Sequence, residues 1–370
     1  MQEKIYALNH SPIPFYFSQN PRDFMVREIP LYEFSNQGEH LILNLRKKGL
    51  NTQDVIKILA SFLGCKTQEI GYAGLKDKSA TTTQYFSIHK KYNSHLLNHI
   101  QKLEERGIKI LSQTYHHNKI KLGHLKGNDF FIRLKKVTPI MAQQMIQAIE
   151  TIKLQGLPNY FGYQRFGKDQ NNHLEGKKIV HHEAKYRNKT LQNFLISSYQ
   201  SHLFNQWLSY RIKLSRIFAH FSVAEISQAL QIENINWDKE IIKKIKAQKH
   251  FFKIFDGDVL EHYPFGKIFH TQLEAYDLQR FDEKTLAPTG LLCGKKACLS
   301  LKDSQKIEER FMDTKIEAQG SRRYAWIWPE NISYRFLEKE AWFEIEFFLP
   351  KGSYATIFIE EIAHQPIRID

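Results

Sequence analysis

Around position 41 apolar and polar residues alternate, Leu41-Ile42-Leu43-Asn44-Leu45-Arg46, which puts Leu41, Leu43 and Leu45 on one face of a strand. Asn51-Thr52 can then cap a helix whose Val55, Ile56, Leu59, Ala60 and Leu63 form an apolar stripe, with Gly64 placed to close it. Short strands are predicted over 85–88 and over 130–134, the latter after Gly127-Asn128, and a helix over 141–154. Gly156-Leu157-Pro158 is a clear break. Beyond it the pattern predicts a helix over 194–213, with Ile196, Tyr199, Leu203, Trp207 and Tyr210 at helical spacing, and a charged helical patch over 238–249. Turns are expected at Asp256-Gly257-Asp258 and Pro288-Thr289-Gly290. After Gly320 strands return: Phe343, Ile345, Phe347 and Leu349 alternate with Glu344 and Glu346. Sheet, mixed middle, sheet suggests one α+β domain interrupted by an inserted one, with segments 1–156, 157–319 and 320–370.

Composition fits that picture. The chain's 370 residues suffice for two domains at roughly 100–200 residues each. Hydrophobic residues make up 42% and charged residues 25%, ordinary for a globular protein with a sizeable core. No stretch approaches the roughly 20 apolar residues of a membrane span, and the N-terminus lacks the pattern of a signal peptide. The three cysteines, Cys65, Cys293 and Cys298, form no Cys-x-x-Cys pair, which argues for a reduced, cytoplasmic setting without structural zinc.

Charge changes the picture further. The net charge is +14, accompanied by 26 Phe, 17 Tyr and 5 Trp. Cationic grooves and aromatic stacking platforms together suit single-stranded or locally opened RNA. Charge alone would only serve solubility.

The most unusual local chemistry is Gly71-Tyr72-Ala73-Gly74-Leu75-Lys76-Asp77-Lys78-Ser79-Ala80-Thr81-Thr82-Thr83-Gln84. One carboxylate lies between two lysines in a Gly- and Thr-rich loop. Flanking cations keep a carboxylate ionised and available as a nucleophile. On spacing alone, a solvated turn carrying a charge cluster is the simpler reading. No Gly-x-x-x-x-Gly-Lys-Ser/Thr phosphate loop is present, and no Gly-x-Gly-x-x-Gly opens a helix after a strand. His116-His117 and His181-His182 lack the i, i+4 spacing of metal ligands on a helix, so no metal site is expected.

The run Ala73-Gly74-Leu75-Lys76-Asp77-Lys78 followed by Thr83-Gln84 is similar to the signature of the TruD pseudouridine synthases. Further stretches match in the family's order. They are Asp23-Phe24-Met25-Val26-Arg27-Glu28, Gly38-Glu39-His40, the run 121–130 ending Gly127-Asn128-Asp129-Phe130, and Asn159-Tyr160-Phe161-Gly162-Tyr163-Gln164-Arg165-Phe166-Gly167. Leu203-Phe204-Asn205-Gln206, Gly320-Ser321-Arg322-Arg323 and the run 349–356 around Tyr354 complete the series, so the resemblance spans nearly the whole chain.

The resemblance implies a pseudouridine-synthase-like catalytic domain with a mixed or antiparallel sheet, interrupted by an inserted α+β domain. It implies conversion of a uridine in tRNA, typically uridine 13, to pseudouridine without metal or organic cofactor. Asp77 would be the nucleophile, acting on a nucleotide swung out of the stack. Substrate contacts would fall on Phe24, Asn128 and Tyr354, where the family usually has Phe. An Asn offers both donor and acceptor to uracil, and aromatic faces can stack on the base. Ordinary core packing is the other reading of Phe24 and Tyr354, and a Gly-Asn turn that of Asn128. Lys76 and Lys78 would contact phosphate or tune Asp77, and Phe130 would shape the pocket or fill the core. Arg165, Arg322 and Arg323 would either bind RNA phosphate or pin the structure. The expected partner is tRNA, with no membrane, no small-molecule cofactor and a monomeric chain. Two rival readings stand beside this one, a non-catalytic RNA-binding or chaperone protein and a pseudouridine synthase for another RNA. A methyltransferase or nuclease is disfavoured by the missing loops and carboxylate cluster.

Overall fold

The computed structural model describes residues 4–18, 20–76, 78 and 80–367. Strands β1 (Tyr16–Phe17), β2 (Phe24–Pro30) and β3 (His40–Lys47) lead into helix α1 (Thr52–Leu63). Then come β4 (Gly71–Tyr72), β5 (Thr81–His89), α2 (Asn93–Leu97), α3 (Ile100–Glu105), β6 (Ile108–His116), β7 (Leu125–Lys135) and α4 (Pro139–Gln155). The middle holds β8 (Leu157–Pro158), α5 (Asn172–Val180), α6 (Lys189–His220), α7 (Val223–Ile232), α8 (Lys239–Lys246), β9 (Val259–His262) and β10 (Ile268–His270). After α9 (Ala275–Asp282), β11 (Leu286–Leu292) and α10 (Lys302–Glu308), the chain ends in β12 (Ser321–Tyr324), β13 (Trp326–Ile327), β14 (Glu330–Leu337), β15 (Trp342–Pro350) and α11 (Ala355–Ala363).

The chain divides into two compact units. One comprises Ile13–Gln147 and Pro329–Ala355; the other comprises the described residues up to Pro12, Ala148–Trp328 and Thr356–Gln365. The first is built on a mixed sheet in the order β14-β15-β7-β2-β5-β3-β6, with β1 on β7 and β4 on β5. Only β2 and β5 run parallel among these pairs.

Helix α1 forms where the apolar stripe predicts it. Asn51 Oδ1 accepts from Asp54 N–H at 2.9 Å while Asp54 Oδ2 accepts from Asn51 N–H at 3.0 Å, a reciprocal cap. Gly64 ends the helix in the left-handed conformation, φ 65°. Val55, Ile56, Leu59, Ala60 and Leu63 are all buried, in one cluster with Leu41, Leu43, Leu45, Phe86 and Ile88. Burial of each large aliphatic side chain is worth about 1.5–3 kcal/mol, far more than the cap.

Two sequence expectations change. The strand expected over 130–134 is the centre of the longer β7, so Gly127-Asn128 lies inside a strand and not in a turn. A Cβ on Gly127 would lie 2.2 Å from the Leu349 carbonyl oxygen, so glycine there serves close strand packing. Likewise Pro288-Thr289-Gly290 belongs to the buried strand β11. A Cβ on Gly290 would meet the Trp207 ring at 2.3 Å, which is how closely α6 lies on that strand.

In the second unit α6 runs for 32 residues, beyond the 194–213 expected, because Asn188 caps it through the Thr190 and Leu191 N–H groups at 3.0 and 3.2 Å. The Arg211 guanidinium on α6 is fully buried and bonds both Asp258 oxygens, at 2.7 and 2.8 Å, and the Lys253 carbonyl at 2.8 Å. Residues 4–8 are bound to this unit as well. Tyr160 Oη donates to the Ile5 carbonyl at 2.9 Å, Arg216 donates to the carbonyls of Tyr6 and Leu8, and Leu8 N–H donates to Glu361 at 2.7 Å. Among the described residues no helix is long and apolar enough to cross a membrane, and Cys65, Cys293 and Cys298 are free thiols.

Glu361 is fully enclosed, and burial pushes its carboxyl up from the ordinary 4.5 to about 7, against the opposing N–H groups of Leu8 and Ala7. The folded protein therefore holds this proton to higher pH than the unfolded chain. Its contribution to stability is fully present below about pH 4.5 and is lost as pH rises towards 7. Glu361→Gln keeps an acceptor for Leu8 and removes the titration. Thermal melts across that window should show the variant gaining on the parent protein as pH rises. Parallel curves for the two proteins would refute this.

Candidate functional site

On the helix-covered face of the first unit's sheet, each apolar row gives way to a polar residue. On β2 the row is Phe24, Val26, Glu28; on β3 it is Leu41, Leu43, Leu45, Lys47; on β5 it is Ile88, Phe86, Gln84; and on β7 it is Leu134, Ile132, Phe130, Asn128. Register aligns these ends, with Glu28 opposite Asn128, Gln84 opposite Leu45 and Asn128 opposite Leu349. Glu28, Lys47, Gln84 and Asn128 are all buried.

Lys76 reaches into this polar row from the loop after β4. Its Nζ lies 3.3 Å from Glu28 Oε2 and donates to Asn128 Oδ1. The side chains of Lys76 and Glu28 are 9% and 1% exposed. Burial pushes the Glu28 carboxyl above its usual range, and the Lys76 charge and the Tyr85 N–H pull it back down. An ammonium has only donors, so the Asn128 amide must turn its oxygen to Lys76. Its Nδ2 donors then point away from that contact.

The Lys76 backbone is held with equal care. Its N–H donates to Thr52 Oγ1 at 2.8 Å and its carbonyl accepts from Thr52 N–H at 3.2 Å. Thr52 Oγ1 donates to Gln84 Oε1 at 3.1 Å, and Gln84 Nε2 donates to the Gly74 carbonyl at 2.5 Å. The buried Lys47 ammonium donates to the Leu50 carbonyl at 2.6 Å and lies 3.5 Å from that of Lys76. Gly74 passes so near the ion pair that a Cβ would stand 3.3 Å from Glu28 Oε2. The first turn of α1 thus grips the segment that carries the lysine.

Asp77 lies outside the described residues; Lys78, just beyond it, is exposed. Phe24 and Phe130, each 8% exposed, lie with ring planes 7° apart and centroids 6.3 Å apart, and Phe130 stacks in turn on Phe347 at 5.4 Å. These contacts are those of a core edge. Tyr354 is partly buried in the turn after β15, five residues beyond the strand partner of Asn128.

The three arginines lie in the other unit and differ from one another. The Arg322 side chain, 3% exposed, pairs with Glu308 at 2.7 Å and donates to Thr289 Oγ1 and the Thr289 and Cys298 carbonyls. Its contacts are those of a structural ion pair and leave no face for a phosphate. Arg323 stands 3.9 Å above the Phe161 ring and donates to the Asn159 and Tyr160 carbonyls, again a packing role. Arg165 is partly exposed, bonds Ser201 and Ser197 at 3.0 and 2.6 Å, and lies over Phe194, itself 39% exposed.

Glu28, Lys47, Thr52 and Gln84 were not singled out by spacing. For Glu28, Lys47 and Gln84 the signal is present nonetheless, as a polar residue on the apolar phase of a strand: Glu28 after Phe24 and Val26, Lys47 after three leucines. Thr52 is read from the sequence only as part of the α1 cap. Among the described residues no cluster of three or more His, Cys, Asp or Glu is arranged to hold a metal ion.

Arg322→Ala should cost about 3–5 kcal/mol of stability, because Glu308 would be left charged and buried. Urea unfolding checks the cost. A loss of RNA affinity at unchanged stability would reinstate Arg322 as a phosphate contact.

Residues 1–187 and 235–362 match the family described as tRNA pseudouridine synthase D (TruD). The chain is 50% identical over 365 residues to the tRNA pseudouridine synthase D of Sulfurimonas denitrificans, covering 99% of each chain. It is 51% identical over 368 residues to that of Wolinella succinogenes, covering 100% of each. A crystal structure of a TruD protein from Methanosarcina mazei superposes with a TM-score of 0.62 at 21% identity, covering 98% of this chain and 96% of that one, a likeness of fold.

Proposed function

The chain belongs to the TruD family, and from that membership we propose that it isomerises a uridine of tRNA, uridine 13, to pseudouridine with Asp77 as nucleophile. The reaction is redox-neutral. The N1–C1′ bond breaks, a C5–C1′ bond forms, C5 gives up its proton and N1 gains one, so no cofactor is called for. The enzyme acts in the cytoplasm as a monomer, its catalytic part centred on the compact unit of Ile13–Gln147 and Pro329–Ala355, a narrower span than the 1–156 and 320–370 expected around an inserted 157–319. The observation that carries the reading is the Lys76 bridge. The residue preceding Asp77 in sequence is bonded to the amide proposed to read the base, and a buried carboxylate fixes it there.

In this scheme Asn128 presents Nδ2 to a uracil carbonyl, its oxygen being turned to Lys76. That arrangement favours an exocyclic oxygen over the amino group of cytosine. Phe24 and Phe130 form the apolar wall, and Tyr354 offers an aromatic face from the turn after β15. Lys78, which follows Asp77 in sequence and is exposed, is suited to a phosphate, and in the other unit Arg165 is the one of the three arginines whose contacts leave it open to a phosphate.

Asp77→Asn should abolish pseudouridine formation while tRNA affinity stays within a few-fold, measured by modification mapping and by equilibrium binding. Activity retained in that variant removes Asp77 from its role. Glu28→Gln, which weakens the hold on Lys76, should lower kcat/KM by roughly 10²-fold through misplacement of the amide. An unchanged kcat/KM would show that Glu28 merely fills space.

A further inference from the structure

The first unit carries a second charged feature that the proposed chemistry does not use. A groove of about 670 Å³ lies at the strand ends, with Arg22, Met25, Arg46, Lys48 and Lys109 among the residues that line it. All four cations are exposed, and none is joined to a carboxylate among the described residues. The groove's other two cations are already engaged. Lys47 is buried against the Leu50 carbonyl, and Arg133 pairs with Asp23 and Glu344 at 3.3 and 2.8 Å. Glu104 is the sole carboxylate in the lining.

The register makes this arrangement costly. Arg46 on β3 stands directly opposite Lys109 on β6. Like charges facing each other across a strand pair repel, by up to about 1 kcal/mol. Among the described residues neither side chain is ion-paired to a carboxylate, and Lys48 follows Arg46 on the same rim, its N–H bonded to the Gly107 carbonyl at 3.1 Å. Local repulsion kept without compensation within the fold is the mark of a surface that meets an external polyanion.

The lining also tells what part of such a partner is touched. It includes no aromatic side chain, so it offers no platform for stacking a base. Four cations in a trough complement phosphates. The groove opens on the sheet face opposite the candidate site, since Met25, Thr81 and Arg46 alternate with Val26, Thr82 and Lys47, and it meets that site's segment only round the strand ends. Thr81, on its wall, opens β5 four residues after Asp77, and its Oγ1 donates to the Pro21 carbonyl at 2.8 Å, while Lys47 joins the end of β3 to the Lys76 carbonyl. We propose that this groove holds the sugar-phosphate backbone of the tRNA strand flanking the nucleotide to be isomerised, without reading its sequence. The proposal rests on the tRNA-modifying function above.

The test uses the full chain with unmodified tRNA transcript. Arg46→Gln/Lys109→Gln removes two charges at nearly constant shape, and Lys243→Gln/Lys244→Gln on the exposed side of α8 removes two charges elsewhere. Binding and pseudouridine formation are followed from 50 to 200 mM salt. The groove variant should bind about tenfold more weakly, with the slope of log Kd against log salt shallower by about 2, one unit per lost phosphate contact. The loss should fall on KM, and melting temperature should not drop, since a repulsive pair has been relieved. The α8 variant should match the parent protein. Equal weakening in both variants would reduce the effect to net charge and overturn the proposal, as would an unchanged salt slope. A parent protein that forms no pseudouridine, while the groove variant still loses tRNA affinity, would sink the enzymatic reading and leave the groove standing.

Discussion

A carboxylate shut away from water stays charged only beside a cation, and the pairing of Glu28 with Lys76 is the constraint from which the candidate site is built. Glu28 draws the ammonium inward, and the ammonium dictates how the Asn128 amide is turned. The lysine can be there because Thr52 holds its backbone at both N–H and carbonyl, and Thr52 is where α1 begins. The position of α1 is set by the leucine row of β3. Ordinary core packing thus determines, through one threonine and one lysine, where a single amide presents its donors.

Much of this was legible in the sequence, and the failures have physical causes. Alternation located β3 and β15, and the Asn51 to Gly64 frame located α1, because those elements bury one face and expose the other. Strand ends were missed where polar residues interrupt the inward row, as at Gln84 and Asn128, since a polar residue there looks like the end of a strand. Gly127 and Gly290 suggested turns, because a sequence cannot show whether a glycine is needed for its dihedral freedom or for the space its missing side chain leaves. Asp77 stands out as a candidate nucleophile only through resemblance to a family, since its spacing alone equally suits a solvated turn. The arginines at 322 and 323 were ambiguous for another reason: the carboxylate that takes up Arg322 is Glu308, on a helix whose proximity no local pattern reveals.

Positive charge in this chain has two destinations. Arg211 and Arg322 are sealed inside the second unit against Asp258 and Glu308, where they tie α6 and β12 to their neighbours. In the first unit Arg22, Arg46, Lys48 and Lys109 are exposed and have no such carboxylate among the described residues. A net charge of +14 therefore overstates how many cations are available to a polyanion, and location rather than number separates the two groups.

The pairing of β7 with β15 has a further consequence, for biosynthesis. Asn128 is joined across the sheet to Leu349, a partner translated 221 residues later. At roughly 5–20 residues per second, a ribosome needs about 10–45 s to supply it. Throughout that interval one edge of β7 has yet to receive its native neighbour, and open edges invite pairing with other nascent chains. The strand that carries the Asn128 amide is thus also the one that waits longest in this sheet, which gives chaperones a definite window in which to act.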